Sequence, residues 1–164
     1  MDDMPVKIAR AKDLLATVNH AAMATVNADG SPHNTPYFFM RDETLEHLYW
    51  GSHPDSEHSK NVVRTGQIFV VLYDAVERGG LYIRADDAHI AEGDELVQAL
   101  HYHNERRVRQ NKKPLLIDYY ETQSPQRMWV ATARQFWVND TERNKDGQMV
   151  RDLRIEITRG QLLH

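Results

Sequence analysis

Residues 21–50 read AAMATVNADGSPHNTPYFFMRDETLEHLYW, and their pattern decides the fold. Ala21–Val26 is a short apolar run with the composition of a strand. Asn27-Ala28-Asp29-Gly30 follows, and Asp-Gly between apolar runs marks a tight reverse turn, because glycine supplies the positive φ. The chain returns as a strand from His33 to Met40, turns again over Arg41-Asp42-Glu43-Thr44, and enters a third strand, Leu45–Trp50. The expectation is a three-strand antiparallel meander.

Working outward, Val6–Val18 has apolar residues near helical spacing behind Pro5, a residue that a first helical turn accepts. After the meander, Gly51–Asp55 is a loop and Ser56–Thr65 a short helix. Gly66 is its left-handed stop, and Asp55 or Ser56 is available to cap its first N–H groups. Ile68–Tyr73 is apolar on both faces, so it should be covered twice, by a core and by another layer or subunit. Asp74–Gly80 reads as a polar loop, and Leu81–Ile90 as a strand with Leu81, Ile83 and Ala85 on its inner face. A helix from Gly93 to about Arg109 carries Leu96, Val97 and Leu100 as an inner stripe, and Asn111–Pro114 breaks it. Leu115–Tyr120 is ambiguous. Met128–Val130 and Gln135–Val138 are short strands bent or split near Ala131-Thr132-Ala133. A polar turn spans Asn139–Gly147, and Val150–Ile157 alternates as a last strand. The whole, residues 1–164, is one domain: helix 6–18, core 21–90, helix 93–110 and closing strands 127–158. It is mainly β with peripheral helices, six to seven antiparallel strands, and a barrel because closure removes sticky edges.

The chain has 164 residues, 20 Lys and Arg against 24 Asp and Glu, nine His and no Cys. That length suits one domain able to bury a core without staples. The absence of cysteine excludes disulfides, thiolate nucleophiles and iron–sulfur clusters, and it fits a reducing, cytoplasmic setting. The formal net charge of -4 argues against nucleic-acid binding driven by bulk positive charge. No apolar run approaches the ~20 residues of a membrane span. Met1-Asp2-Asp3-Met4-Pro5 lacks the basic-then-apolar order of a signal peptide.

Two stretches can carry chemistry. In Tyr49–Lys60 a strand ends in Trp50-Gly51, crosses a polar loop containing Ser52, and enters a helix bearing Ser56, Ser59 and Lys60. A helix N-terminus presents unpaired N–H groups and partial positive charge, so hydroxyls and a lysine there suit a phosphate; an ordinary capped helix is the plainer alternative. In Ser31–Phe39, Pro36 denies the sheet one donor, as suits an edge strand. The polar groups of His33, Asn34 and Thr35 can hydrogen-bond a flat heterocycle, or simply form a polar hairpin exit.

Taken in order, the Ala-Thr-Val strand, Asp-Gly-Ser-Pro hairpin, HNTPYFF strand, LYWGS strand, HSKNV helix and following apolar strand resemble the pyridoxamine 5'-phosphate oxidase-like, FMN-binding split β-barrel family. The resemblance covers Leu14–Ile90 and, less closely, Arg127–Ile157. It implies a homodimeric split barrel with FMN at the subunit interface, acting as an oxidoreductase toward a small-molecule electron donor or acceptor. It places the FMN phosphate at Ser59 and Lys60, strand-end contacts at Trp50, Gly51 and Ser52, and the ring along His33, Asn34, Thr35, Pro36 and Tyr37. It assigns Trp137 and either Arg151 or Arg154 to the partner's contribution. The flavin would carry the redox chemistry, and the chain offers no obvious catalytic acid or base. Basic residues that true pyridoxamine phosphate oxidases carry are replaced by Thr35 and Met40, with Arg41 one position off and so on the opposite face. The implication is flavin chemistry with a substrate other than pyridoxamine phosphate. Non-catalytic binding of flavin, deazaflavin or haem is the alternative.

The histidines give no metal motif. His101 and His103 project ~200° apart on a helix and cannot chelate one ion. The basic run Glu105–Lys113 reads as a solvated helix C-terminus, where cations complement the dipole, and it can also attract an anionic substrate. Tyr119, Tyr120, Trp129, Phe136 and Trp137 read as core or interface.

Overall fold

A computed structural model of the protein describes residues 4–74 and 79–164. The elements run α1 (Met4–Thr17), β1 (His20–Val26), β2 (Pro32–Phe38), β3 (Met40–Arg41), β4 (His47–Ser52), α2 (Glu57–Thr65), β5 (Ile68–Tyr73) and β6 (Gly80–Ile90). They continue with α3 (Gly93–Arg109), a π-helical turn at Tyr119–Gln123, β7 (Arg127–Arg143), β8 (Met149–Ile157) and α4 (Arg159–Leu163). The middle of the expected Asp74–Gly80 loop, 75–78, and the first three residues of the chain lie outside the described residues.

All pairing is antiparallel, and the strands follow the order β2-β1-β5-β6-β7-β4-β3, with β8 added to β7. The first and last strands of that order, β2 and β3, are separated in the chain by Phe39 alone. The sheet therefore curls until its two ends meet along one stretch of backbone, which makes a split barrel. The first hairpin forms at Asp29-Gly30, where Gly30 has φ +86° and the Asp29 carboxylate accepts from the Ser31 backbone and hydroxyl.

The expected meander is bent at Phe39, whose ring is buried and whose N–H donates to Asn19 O, one step beyond the β1–β2 pair His20–Phe38. Past the bend the chain continues as β3, which pairs with β4, Met40 opposite Tyr49 and Arg41 opposite Leu48. The other edge of β4 pairs with β7, Trp50 opposite Trp129. Asp42 fixes the turn before β4: its carboxylate accepts from the N–H groups of Glu46 and His47 and contacts the His47 ring. The expected split between two late strands is also corrected. β7 is one strand, and the bend expected near 131–133 is a bulge, with Arg84 opposite Gln135 but Ala85 opposite Ala133. Below the bulge β7 pairs with β4, and above it with β8. The late turn shrinks to Asn144–Gly147, because β7 runs on to Arg143.

Inside the barrel Met23, Leu45, Leu48, Val70, Leu72, Leu81, Ile83 and Trp129 are fully buried. Ala11, Leu14 and Leu15 of α1 join this core, and Lys7 is ion-paired with Asp140 of β7. A smaller core under α3 gathers Met40, Tyr49, Leu96, Ala99, Leu100, Tyr120, Met128 and Val130. Val97, expected on the inner stripe, is 52% exposed; the stripe runs through Ala99 instead. Among the described residues no helix is long and apolar enough to cross a membrane.

The outer face of the barrel is aromatic. Phe69 lies 6.2 Å from Tyr82 and 6.0 Å from Trp137, and the Arg154 guanidinium sits 4.1 Å above Tyr82. Tyr73 is 58% exposed on the same strand. One face of β5 thus has its expected cover, the core; the described part of this chain adds little over the other beyond Arg154.

Candidate functional site

Two features converge on anions. The first lies where β4 gives way to α2. Ser56 is the N-cap residue, but its side chain caps no helical N–H. The expected cap is corrected: the Ser56 hydroxyl donates to Ser59 Oγ at 2.8 Å, Ser59 donates to Ser52 Oγ at 3.3 Å, and Ser52 lies 2.7 Å from His58 Nε2. The first turn of α2 therefore keeps its N–H groups free of a side-chain cap, which leaves a position for an anion. Lys60 is exposed beside it, whereas Ser59 is fully buried. Ser59 thus supports the cradle from below instead of facing outward, because its position shares the inner stripe of α2 with Val62. Asn61, also buried, donates to Thr25 Oγ1 at 3.1 Å and Asn27 Oδ1 at 2.8 Å and ties the helix over β1.

β2 brings His33 against this cluster: its ring stacks on His58 at 6.4 Å with 20° between planes. His33 and Thr35 are half-buried on one side of the strand, and Asn34 and Pro36 are exposed on the other. Tyr37, expected along the ring, and Trp50, expected as a strand-end contact, both turn their side chains into the core. Their side chains are 8% and 1% exposed and pack edge-on at 6.2 Å in the core, and burial pushes the Tyr37 hydroxyl far up from its ordinary value. Gly51, next to Ser52, is exposed. Trp137 stands in the cross-strand row Pro36–Ala22–Val71–Tyr82–Trp137 on the outer face. Four strand spacings, roughly 19 Å, separate it from β2. Arg151 is farther along β8 and ion-paired with Glu142, while Arg154 covers Tyr82. Neither reaches the cradle of its own chain.

The second feature lies at the basic run of 105–113, whose sequence shows no sign of a cavity. A cavity of about 600 Å³ lies between the end of α1, the Phe39–Arg41 bend and α3. Arg106 lines it, 8% exposed, with Nε and Nη1 lacking partners and its guanidinium 3.4 Å above the Phe38 ring. Arg41 and Arg109 line the same space, as do Glu43 and Tyr102, whose hydroxyl donates to Glu43 at 2.5 Å. Burial lowers the Arg41 and Arg106 guanidinium values from their ordinary one. His103, behind Arg106, is pushed down to about 4, by burial first and then by Arg106, Arg107 and Lys112. The reading of residues 105–113 as a solvated end is therefore corrected for Arg106. The signal was its place one turn beyond Leu96, Ala99, Leu100 and His103 on one stripe. Arg41, expected on the face opposite Met40, borders the same cavity as Met40 does. Among the described residues no three His, Asp or Glu converge on a metal site.

The family model for pyridoxamine 5'-phosphate oxidase matches residues 8–140. No curated protein matches the chain in sequence. Among solved structures, a haem-binding protein from Mycobacterium smegmatis superposes with a TM-score of 0.65 at 16% identity, over 99% of this chain and 61% of that one. A protein related to general stress protein 26, of the pyridoxinephosphate oxidase family, from Clostridium acetobutylicum, gives 0.64 at 12% identity over 94% and 97%. An F420 reductase gives 0.56 at 16% identity over 77% and 94%. At these identities the superpositions describe a shared fold.

Proposed function

The chain belongs to the pyridoxamine 5'-phosphate oxidase family, and from that premise we propose that it is a homodimeric, FMN-binding oxidoreductase. The observation that carries the reading is the start of α2, which takes no side-chain cap and is flanked by the Ser52 and Ser56 hydroxyls and the exposed Lys60. This donor set fits a phosphate: a dianion there meets N–H groups, hydroxyls and an ammonium, each favourable to negative charge. His33, Asn34, Thr35 and the backbone at Pro36-Tyr37 and Gly51 are the groups we assign to the ring of the cofactor.

Bound FMN would supply hydride or electron transfer. The chain's own part is to hold and orient. Lys60 fixes the phosphate, β2 offers polar edges for a flat heterocycle, and the Arg106 cavity takes the anionic part of an electron donor or acceptor. Two unpartnered guanidinium nitrogens on the buried Arg106, with three N–H groups between them, favour such a group strongly, because each is otherwise desolvated without compensation. The aromatic outer face supports a second copy of the chain as its cover, with Trp137 and Arg151 or Arg154 reaching the partner's cofactor. The cysteine-free composition is in keeping with a cytoplasmic protein whose redox chemistry is borrowed.

The test is the absorption spectrum of purified protein before and after FMN addition, then with reduced nicotinamide cofactors. A flavin spectrum that bleaches on reduction supports the reading. A Soret band instead assigns the fold's cavity to haem, as the name of the Mycobacterium smegmatis neighbour suggests, and an F420 spectrum assigns it to deazaflavin. Colourless protein that takes up no FMN overturns it.

A further inference from the structure

The hydroxyls of the cradle hold three protons, and the geometry gives each an inward acceptor. Ser56 donates to Ser59 and Ser59 to Ser52, and His58 Nε2 lies 2.7 Å from Ser52 Oγ and 3.2 Å from Ser56 Oγ, able to accept from Ser52. A neutral imidazole with its proton on Nδ1 ends that relay as the final acceptor. In this state the cluster satisfies itself and has no hydroxyl proton to give a ligand. A proton on Nε2 reverses the end of the chain: Nε2 then donates to Ser52, and Ser52 can turn to Ser56, 3.0 Å away. Ser56, half-buried at the mouth, then accepts from Ser52 and can turn its own proton from Ser59 outward to a ligand.

We propose that His58 is the residue that arms the cradle, taking up one proton as the FMN phosphate binds and so converting the three-serine relay from self-satisfied to donating. The inference rests on the FMN reading above. It differs from that reading in assigning the switch to a residue that need not touch the ligand, so His58 is a positioning residue.

The surroundings of His58 set its resting state. His33 from β2 stacks on it, β4 contributes the uncharged Ser52, and Thr25 of β1 and Asn27 of the following turn face the neighbouring Asn61. His53 and Asp55 of the loop and Glu57 and Lys60 of its own helix are exposed. β6 meets α2 at the far end, where Ala88 N–H donates to Gly66 O beyond Asp86 and Asp87. Burial, and then the charge of His33, lower His58 from its ordinary value, so the free protein holds it neutral near pH 7. A phosphate dianion at the start of α2 offsets both effects.

Titration calorimetry of FMN at pH 7.5, in two buffers of different ionisation enthalpy, tests this. Wild type should take up about one proton per FMN at most and clearly more than none, whereas riboflavin, lacking the phosphate, should bind with none. His58→Gln should keep the fold and bind FMN without proton uptake, while His33→Gln should retain the uptake. FMN binding by wild type without uptake, or the same uptake in His58→Gln, overturns the role of His58 and leaves the FMN reading standing. Failure of FMN to bind wild type at all overturns both.

Discussion

Arg106 lies flat over Phe38, its guanidinium carbon 3.4 Å from the ring centroid, while two of its nitrogens face no partner. The ring stabilises the cation from one side; the cavity leaves it uncompensated on the other. A protein that keeps an under-paired buried charge sacrifices stability for binding. Arg106→Met, which keeps the apolar stem, should raise the stability of the free protein by about 1 kcal/mol. The same variant should lose the stabilisation that added sulfate or phosphate gives wild type. Urea denaturation with and without the anion measures both; a variant that is less stable yet still stabilised by anions contradicts the assignment.

Lys60 is exposed at the start of α2, where it contributes to ligand binding with little bearing on the fold. Lys60→Ala should weaken FMN by about 1.5–3 kcal/mol, the range for a hydrogen bond to a charged group. Riboflavin affinity should change little. Fluorescence titration of the two flavins separates the phosphate term from the ring term, and equal losses for both would move the phosphate elsewhere.

Phe69, Tyr82 and Trp137 form one patch on the outer face, outside the barrel core. Phe69→Glu should leave the melting behaviour of a monomer intact, because the side chain points away from Val70 and Leu72, but should halve the mass seen by light scattering. If the dimer also completes the cofactor site, FMN should be lost with it. An unchanged dimer mass would place the contact on another face.

Much of the fold could be read from local pattern, and what could not shares one cause. Asp29-Gly30, Gly66 and the alternation of Leu81, Ile83 and Ala85 act within a few residues, so their turns and faces were legible. The second partner of β4, β7, was not, because that strand lies some eighty residues away and only tertiary packing brings it there. The site divides along the same line. Ser56, Ser59 and Lys60 could be placed in the opening turns of α2 from the sequence, whereas the inward direction of the Tyr37 and Trp50 side chains could not. An aromatic residue in a strand looks the same in sequence whether it faces the core or a ligand. Arg106 was hidden by composition: within a basic run, charge outweighed the helical stripe it shares with Leu96 and Leu100.

His103 adds a pH dependence to the same helix. Its folded value, about 4, lies below the ordinary 6.5, so the unfolded chain binds the extra proton first as pH falls. Stability from this group is therefore fully present above about pH 6.5 and is lost progressively down to about pH 4. The ring is partly open to solvent, so the loss should be of order 1–2 kcal/mol, less than the full shift implies. His103→Gln removes the titration and should flatten the decline between pH 7 and pH 5 relative to wild type. Because Arg106 contributes to the depression, Arg106→Met should raise the His103 value and shrink the same decline, a coupling that urea midpoints at the two pH values would expose. Parallel curves for wild type and His103→Gln would show that the acid sensitivity of the protein arises elsewhere.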